Sequence, residues 1–410
     1  MAGTTDLVST DGSRFALETN GANSTATEFI THGYSMATTP DDNDEDYYDG
    51  EFTFNDYTQR CIVGTIFVIV SIVGTFGNGL VILAVILSRK LRTVTNVFVV
   101  NLAVADLLVC LILPWNAVGL FTSPELGWPL PEKLCVAVAL ISYTCGGCSL
   151  YTLATIAINR WMLITRPSRT YRTCYKPAYL AVMVTVVWLI PLLVAWVPPM
   201  LGLGELGYTE KYSTCTHKNS HELAPYYSLL QSIIFLPVPF IIIIVSYVNI
   251  FRHVRQHTKV LMTNQEKSVE LSETSNYREN NTSGARELEP SSPVGRSQNL
   301  SVAKKRLSRR QVEITKNLFY VVCAFTVCIL PYGIALLIPP SDPIIPWTAA
   351  LFLVNSCINP IIYATKHPYF KQVFKLMLTC HCGKIPEQSD FLRSVRSTVR
   401  RSRGRSKRHN

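Results

Sequence analysis

Charged residues are scarce in this sequence: Asp, Glu, Lys and Arg make up 16% of it, whereas hydrophobic residues make up 48%. Soluble domains usually contain about 25% charged residues. The deficit argues against a soluble globular protein and indicates that lipid surrounds much of the chain. It also makes the length of the chain a poor guide to the number of domains.

Several catalytic and metal-binding patterns are missing as well. None of the twelve cysteines belongs to a CxxC pair that is accompanied by a second pair or by spaced histidines, so a zinc site is not expected. No nucleophile–base set and no glycine-rich phosphate loop stands out, which argues against an enzyme. The N-terminal sequence is polar and lacks the apolar stretch of a cleavable signal peptide, so the first hydrophobic segment is expected to direct membrane insertion.

Seven segments are long and apolar enough to cross a bilayer, for which a helix needs about 20 residues. Because backbone groups in lipid must be hydrogen-bonded within the segment, each segment is predicted to be helical. The predicted fold class is therefore all-α, a seven-transmembrane helix bundle. The predicted segments are 61–87, 96–121, 135–158, 178–199, 226–251, 317–338 and 344–364.

Basic residues are unevenly distributed among the loops. Lys and Arg concentrate in the first, third and fifth loops and in the C-terminal tail, whereas the even-numbered loops contain few of them. Short loops that are rich in Lys and Arg stay on the cytoplasmic side of a membrane. The pattern predicts a multi-pass plasma-membrane protein with an extracellular N-terminus and a cytoplasmic C-terminus. The basic tail is expected to lie near anionic lipid and not to bind nucleic acid.

Polar segments flank and interrupt the predicted bundle. Residues 1–57 are rich in Thr, Ser, Asn and Asp and are predicted to be a disordered extracellular tail, with a glycosylation sequon at Asn23. The bundle is predicted over 58–365, with a disordered intracellular loop over about 256–310. The remainder, 366–410, is predicted to form an interfacial helix and a basic cytoplasmic tail.

Two cysteines follow the predicted interfacial helix. The helix is indicated by alternating apolar and basic residues over 366–378. Cys380 and Cys382 come directly after it, at a depth where cysteines can be palmitoylated. We therefore predict lipid attachment at these two positions.

Polar residues inside the spans are few and are therefore candidates for function. Ionisable groups in the membrane cost several kcal/mol by insertion scales, yet Asp106 lies midway along the second segment and Arg160 at the end of the third. A buried carboxylate needs either a cation or a dense set of hydrogen-bond donors. Asp106 is thus either part of a sodium site or a protonated member of a polar network. Uncharged polar residues within the spans are Asn78, Asn101, Ser149, Asn355, Ser356 and Asn359.

An ordered set of motifs gives the chain a close resemblance to a known family. Over about 60–378 it resembles the rhodopsin-like (class A) G-protein-coupled receptors. The branch containing the invertebrate moody and trapped-in-endoderm receptors is most similar, and melatonin receptors are more distant. The motifs are GNGLVILAVI around Asn78, NLAVADLL at 101–108, INRW at 158–161, Trp188, Pro239 and Tyr247, Phe325 with CILP at 328–331, and NPIIY at 359–363.

The resemblance implies roles for particular residues. The family's sodium shell corresponds to Asp106, Ser149, Asn355, Ser356 and Asn359. Arg160, next to Asn159, is implied to enter the G-protein interface when the sixth helix moves outward, and Tyr247 and Tyr363 to stabilise that open form. The pair Cys135 and Cys215 resembles the family's extracellular disulfide.

Three departures from the family pattern affect activation. Asn159 replaces the acid before Arg160, Trp161 replaces the tyrosine after it, and Ile329 replaces the tryptophan of the sixth helix. Gln311 also stands where some relatives have an acid that pairs with Arg160. Because an absent charge pair cannot stabilise the resting state, our hypothesis is an appreciable basal activity. The alternative is that these changes are neutral.

The ligand pocket implied by the resemblance is uncharged. Ser142 stands where amine receptors have Asp, so a bound ammonium would lack its counter-ion. Leu353 stands where opsins have the lysine that binds retinal. A neutral or lipid-like ligand with one or two polar groups is therefore expected, although some of these residues would pack between helices instead. The implied pocket residues are Asn116, Ser142, Tyr143, Gly146, Gln231, Ser232, Ile329, Tyr332, Leu336 and Ile345.

Other functions stay open beside a G-protein-coupled receptor for a neutral ligand. The acidic run at 41–52 would attract a basic peptide. The altered sequence around Arg160 is compatible with a non-signalling scavenger or decoy receptor. A transporter is not favoured, since no repeat between the two halves is visible. Serines and threonines among the basic residues of the tail are candidate sites for receptor kinases and hence for arrestin recruitment.

Overall fold

The structure is a computed structural model of the chain, and it describes residues 52–218, 221–256, 319–320, 322–395 and 397–398. The predicted tail up to residue 51, with Asn23 and most of the acidic run, lies outside these residues. So do 257–310 of the predicted intracellular loop, Gln311, and the end of the basic tail.

Helices account for nearly all of the described residues. Six are long and apolar enough to cross a membrane, and a shorter apolar helix covers most of the predicted sixth span. The helices of the bundle are α1 (Tyr57–Leu87), α2 (Val94–Phe121), α3 (Glu132–Thr165), α5 (Pro177–Met200), α6 (Pro225–Gln256), the shorter α7 (Val322–Ala335) and α8 (Ile345–Lys366). Two shorter helices are α4 (Ser168–Cys174), between α3 and α5, and α9 (Pro368–Leu378), after α8.

Side-chain caps set where several helices begin. The carboxylate of Asp56 accepts hydrogen bonds from the backbone N–H groups of Thr58 at 2.8 Å and Gln59 at 3.2 Å, so α1 starts four residues earlier than predicted. At the start of α9, His367 accepts a bond from the Phe370 N–H at 3.4 Å. Pro368 follows it at the first helical position, where the missing N–H costs nothing.

The helix α6 is interrupted near its middle. A regular stretch, Ala224–Phe235, ends at Leu236, whose backbone angles are φ −96° and ψ −66°. Pro237 follows and has no N–H to donate, so the helical ladder loses a bond at this turn. The helix resumes when the Phe240 N–H donates to the Leu236 carbonyl at 3.2 Å. This turn gives a structural account of Pro237, which lies two residues before the motif residue Pro239.

The helix α3 lies at the centre of the bundle, against α2, α5 and α6, whereas α1 packs against α2 and α8. Close approach around α3 depends on Gly147. A Cβ atom at this position would lie 2.7 Å from the Cβ of Pro191 in α5 and 3.1 Å from the ring of Phe235 in α6. Any larger residue at Gly147 would therefore separate three helices.

A β-hairpin closes one end of the bundle, which we call the hairpin end. Strands β1 (Leu206–Thr209) and β2 (Thr214–His217) pair antiparallel, with Tyr208 opposite Cys215. A disulfide joins Cys215 to Cys135 at the start of α3, with 5.2 Å between the Cα atoms, as the resemblance implied. Phe54, from the end of the predicted tail, is buried and donates its N–H to the Lys211 carbonyl at 2.9 Å.

The opposite end, the α9 end, is closed by α9 and by residues that follow it. The apolar residues of α9 pack inward: Phe370 and Phe374 are buried and join the core next to Tyr363. A short helix is thus present where one was predicted, and its aromatic residues Phe370 and Phe374 lie against the bundle. Of the two cysteines predicted to be palmitoylated, Cys380 is exposed and Cys382 half-buried, and both are free thiols.

Residues 385–392 return to the turn between α1 and α2, and we call them the return segment. The Arg89 N–H donates to the Glu387 carbonyl at 2.8 Å, and the Ser389 N–H donates to the Leu87 carbonyl at 2.9 Å. Ile385 and Leu392 are buried there. The sequence did not predict this contact, because the segment contains no regular apolar pattern.

Candidate functional site

Asp106 lies in the middle of the bundle, fully buried on α2. One carboxylate oxygen accepts hydrogen bonds from the hydroxyls of Ser149 at 3.0 Å and Ser356 at 3.5 Å, and the other accepts from the side-chain amide of Asn359 at 2.8 Å. Four of the five residues predicted for the sodium shell therefore meet. The cluster joins α2, α3 and α8 through a single acid.

The fifth predicted residue is nearby but is not bound to the carboxylate. Asn355 and Asn359 are both buried, and among the described residues the Oδ1 atom of each lacks a hydrogen-bond partner. Asn78 connects α1 to this region by donating to the Ser356 carbonyl at 2.8 Å. The Oδ1 atoms of Asn355 and Asn359 can therefore bind a further donor or cation beside the buried carboxylate.

A cavity of about 220 Å³ extends from the hairpin to this cluster. Tyr212 and Thr214 line its upper part, and Asp106 and Ser149 line its base. The residues described as lining it include no Lys or Arg, and Asp106 is the one carboxylate among them. Its size lies somewhat below the range of about 300–1,000 Å³ that is usual for ligand pockets. The space suits a small and uncharged molecule.

Nine of the ten predicted pocket residues line the cavity, and Ile345 does not. Ile345 starts α8 and is buried, while the neighbouring residues Pro346 and Ala349 line the cavity. The prediction that Ile345 lines the cavity was therefore wrong. A 3₁₀ turn, Pro339–Ile344, directly precedes Ile345 at the start of the helix. The nine that do line it are Asn116, Ser142, Tyr143, Gly146, Gln231, Ser232, Ile329, Tyr332 and Leu336.

Two of these cavity residues have further structural roles. Asn116 accepts a hydrogen bond from the backbone N–H of Cys215 at 2.9 Å, so it also holds the hairpin in place. Gly146 leaves open space, since the nearest atom to an added Cβ would be in the ring of Phe352 at 3.6 Å. Gly147, in contrast, is a packing position, as described above.

Arg160 lies toward the α9 end of α3, which continues past it to Thr165. Its side chain is buried, and within the described residues its Nε atom has no hydrogen-bond partner. Tyr247 and Tyr363 lie within electrostatic range of the guanidinium, and their hydroxyls are likewise buried and unpaired. Three residues that the sequence predicted to act together are thus close together, and each has a buried polar atom that lacks a partner within the described part of the chain.

Asn159, which stands in place of the family's acid, makes two structural hydrogen bonds of its own. Asn159 is fully buried; its Oδ1 accepts a bond from the Thr95 hydroxyl at 2.8 Å, and its amide N–H donates to the Tyr171 hydroxyl at 3.0 Å. The side chain joins α3 to α2 and α4. Because an amide carries no charge, Asn159 does not form a charge pair with Arg160.

Sequence reasoning missed a second buried cation, Arg60. It is fully buried in the first turn of α1 and donates to the carbonyls of Gly119 and Thr122 at the end of α2. The predicted first segment began one residue after it. Recognition of the Asp56 cap would have placed Arg60 inside the helix.

Comparison with known proteins agrees with this architecture. The chain matches the 7 transmembrane receptor (rhodopsin family) over residues 77–363, and it belongs to that family. The crystal structure of squid rhodopsin superposes with a TM-score of 0.59 and covers 81% of this chain and 93% of that one at 21% identity, which supports the fold alone. The predicted seven-helix class is confirmed, and the family is one of receptors and not of enzymes.

Two relatives illustrate the range of similarity. The alpha-1D adrenergic receptor of Mus musculus is 30% identical over 323 residues, which are 75% of this chain and 55% of that receptor. The G-protein coupled receptor moody of Drosophila melanogaster is 28% identical over 77% of this chain and 51% of its own length. The chain thus spans about half the length of these relatives. The predicted likeness to moody is present, beside a comparable likeness to an adrenergic receptor.

Proposed function

We propose that this protein is a receptor for a small, uncharged, lipid-like ligand and that it activates a heterotrimeric G protein. The observation that carries the ligand class is the cavity between the hairpin and Asp106, whose upper walls are neutral. A charged ligand would lose its hydration there without gaining a partner. An apolar body with one or two polar groups matches the walls.

An amine ligand is disfavoured despite the likeness to an adrenergic receptor. Ser142 lines the cavity where amine receptors carry an acid. Asp106 is at the base of the cavity and is already hydrogen-bonded to Ser149 and Asn359. Leu353 lines the cavity at the position of the opsin lysine, so a retinal Schiff base has no anchor.

Coupling to the G protein is assigned to the α9 end. Buried polar groups are normally hydrogen-bonded, yet the Arg160 Nε atom and the hydroxyls of Tyr247 and Tyr363 have no partner among the residues that the structure describes. A partner that inserts into this end would supply acceptors for the guanidinium. The arrangement supports the role that the family resemblance implied for these residues.

The proposed orientation puts the α9 end in the cytoplasm. Arg89, Lys90 and Arg92 lie in the turn between α1 and α2, and Arg166, Arg169 and Arg172 lie at or near α4, all at this end. The rule that short basic loops stay inside then makes the hairpin end extracellular. The disulfide between Cys135 and Cys215 would lie on the oxidising side, where such bonds persist.

A sodium ion is proposed as the partner of Asp106. The donor set fits a hard monovalent cation: one carboxylate, two hydroxyls and, on Asn359, a buried Oδ1 that accepts no hydrogen bond from the described residues. The described residues contain no cluster of three or more His, Cys, Asp or Glu, which a divalent or transition metal would favour. A bound sodium ion would supply the positive charge that the buried carboxylate otherwise lacks.

Two regulatory partners follow from the same proposal. Receptor kinases would modify the serines and threonines of the basic tail, and arrestin would bind the modified receptor. A decoy receptor is the second candidate, and the observation that favours it is the engagement of Asn159 with Thr95 and Tyr171 instead of with Arg160. A peptide receptor depends on the acidic run at 41–52, most of which lies outside the described residues.

The ligand class is tested by nucleotide exchange in membranes exposed to neutral-lipid, amine and peptide fractions of a tissue extract. We expect the neutral fraction to stimulate exchange and Gly146→Leu to abolish the response, because the leucine side chain fills the cavity. Gly79→Leu is the matched control, since an added Cβ at Gly79 meets no atom within 4 Å. Stimulation by the amine or peptide fraction alone would contradict the proposal.

A further inference from the structure

His217 and Gln231 form a buried polar pair beneath the hairpin. His217 is the last residue of β2 and Gln231 lies on α6, and their side chains are 8% and 3% exposed. The His217 Nε2 atom lies 3.0 Å from the Gln231 Oε1 atom. Both residues line the cavity. The hairpin, which contributes Tyr212 and Thr214 to the cavity lining, thus contributes a histidine as well.

Each member of the pair has a second polar atom that is not satisfied. Among the described residues, the His217 Nδ1 and Gln231 Nε2 atoms are buried and have no hydrogen-bond partner. The Tyr227 hydroxyl donates to the Ala195 carbonyl, and its oxygen can still accept one of the two Gln231 N–H groups, so the other N–H group is the one left for a ligand. Buried polar atoms of this kind cost free energy unless something binds them. Because both residues line the cavity, a molecule bound there would be in reach of these atoms.

The pair presents one donor and one acceptor whichever way the amide is oriented. With the Gln231 oxygen toward the ring, His217 donates from Nε2, so its Nδ1 accepts and the Gln231 N–H groups donate. With the amide reversed, the roles exchange: His217 Nδ1 donates and the Gln231 oxygen accepts. A ligand group that donates and accepts at adjacent positions satisfies both arrangements.

Aromatic contacts hold the imidazole in place, and burial keeps it uncharged. The ring of Tyr143 lies 4.6 Å from that of His217, and the ring of Tyr227 lies edge-on at 4.3 Å. The Tyr143 hydroxyl is hydrogen-bonded to Thr216, which fixes the first of these rings. Burial lowers the pKa of His217 to about 4. The pair is therefore neutral at physiological pH and pre-organised for binding.

We propose that His217 and Gln231 recognise the polar group of the ligand, and that this group is a hydroxyl or a primary carboxamide. The inference rests on the proposed function of the cavity and narrows it. A carboxylate would meet a neutral imidazole with no cation among the lining residues, and an ammonium would meet no lining carboxylate other than Asp106 at the base of the cavity. A hydroxyl both donates and accepts, and so does a carboxamide. The adjoining Ser228 and Ser232 leave the surroundings polar and uncharged.

The test uses five probes on one carbon skeleton: 3-phenylpropan-1-ol, 3-phenylpropanamide, 3-phenylpropylamine, 3-phenylpropanoate and propylbenzene. Binding at millimolar concentration is followed by saturation-transfer NMR on the purified full chain in nanodiscs. The alcohol and the carboxamide are expected to bind about tenfold more tightly than the other three, because they alone satisfy both orphan atoms. Equal or undetectable binding of all five contradicts the inference, as does preference for the amine or the acid.

Two substitutions at Gln231 separate recognition from folding. Gln231→Leu keeps the volume, loses the amide and is expected to reduce alcohol binding to the level of propylbenzene. Gln231→Glu adds a carboxylate and is expected to convert the preference to the amine, a gain that a misfolded protein cannot show. Unchanged preference in both variants overturns the assignment. Basal nucleotide exchange is measured on the same samples, so loss of coupling, which concerns the proposed function, is distinguished from loss of probe preference.

Discussion

The side-chain oxygen of Asn159 accepts a hydrogen bond from the Thr95 hydroxyl at 2.8 Å and so ties the α9 end of α3 to the start of α2. On its other side the same amide donates to Tyr171. Family relatives carry an acid next to the arginine, whereas here a neutral bridge takes that position. Arg160 is thereby left without an adjacent negative charge. The consequence is a resting state that lacks one electrostatic restraint.

A carboxylate at position 159 should restore this restraint. In Asn159→Asp the two oxygens can accept from both Thr95 and Tyr171, so the bridge survives while a charge is placed beside Arg160. We expect basal nucleotide exchange to fall severalfold at matched surface expression. Asn159→Ala removes the bridge without adding charge and should not lower it. If the Asp variant exchanges nucleotide as fast as the parent, the weak-restraint hypothesis is wrong.

Sodium should stabilise the protein through Asp106. A ligand that binds the folded state alone raises its stability by mass action. Purified protein is therefore expected to unfold at a higher temperature in sodium chloride than in choline chloride of equal ionic strength, and basal exchange is expected to be lower. Asp106→Asn keeps the shape of the side chain but removes its charge, and should abolish both differences. An equal response of the Asn variant to sodium would show that the ion acts elsewhere.

Acid should destabilise the α9 end through His367. Burial, assisted by the nearby Arg160 charge, lowers the pKa of His367 from 6.5 to about 4. Between these values the unfolded chain binds a proton that the folded chain does not, so the free energy of unfolding falls as pH drops from about 6.5 to 4. The full contribution of this histidine is on the order of 3 kcal/mol. This stabilisation is fully present above pH 6.5, the pKa of the histidine in the unfolded chain, and it is lost as the pH falls to about 4.

The matched variant for this prediction is His367→Asn, because Asn can cap α9 without titrating. Thermal unfolding in detergent at pH 7.5 and pH 5 should show a smaller loss for the variant than for the parent. Part of the loss remains, since the pKa of His217 is also lowered to about 4. The same acid-dependent loss in both proteins would show that titration of His367 does not cause it.

The return segment should depend on burial more than on its ion pair. Arg89 and Asp390 form a salt bridge whose side chains are 46% and 75% exposed, and solvent screens such pairs. Ile385, in contrast, is 3% exposed against the core. Ile385→Asp is expected to release the segment and to speed hydrogen exchange at the Ser389 N–H, whereas Asp390→Asn leaves the exchange nearly unchanged. The reverse order of effects would mean that charge, and not packing, holds the segment.

The sequence predicted the features that follow from hydropathy and from ordered motifs. Asp106 was found because a carboxylate is conspicuous in an apolar segment, and the disulfide was implied by resemblance. His217 and Arg60 were missed for a common reason. Each is polar and lies near the end of an element, and its burial depends on a distant partner: Gln231 for His217, and the end of α2 for Arg60. Local patterns carry no information about such partners.

Coupling to a G protein through Arg160 is tested by basal G-protein activation in cells that express the chain. The signal is measured across G-protein subtypes, beside Arg160→Ala at equal surface expression. We expect a signal from at least one subtype that the Ala substitution removes, because the buried guanidinium is the group offered to the partner. A signal that persists in Arg160→Ala would contradict the role of Arg160 in coupling. Equal silence of both proteins with the cavity occupied by a neutral ligand would contradict G-protein coupling and would favour the decoy receptor.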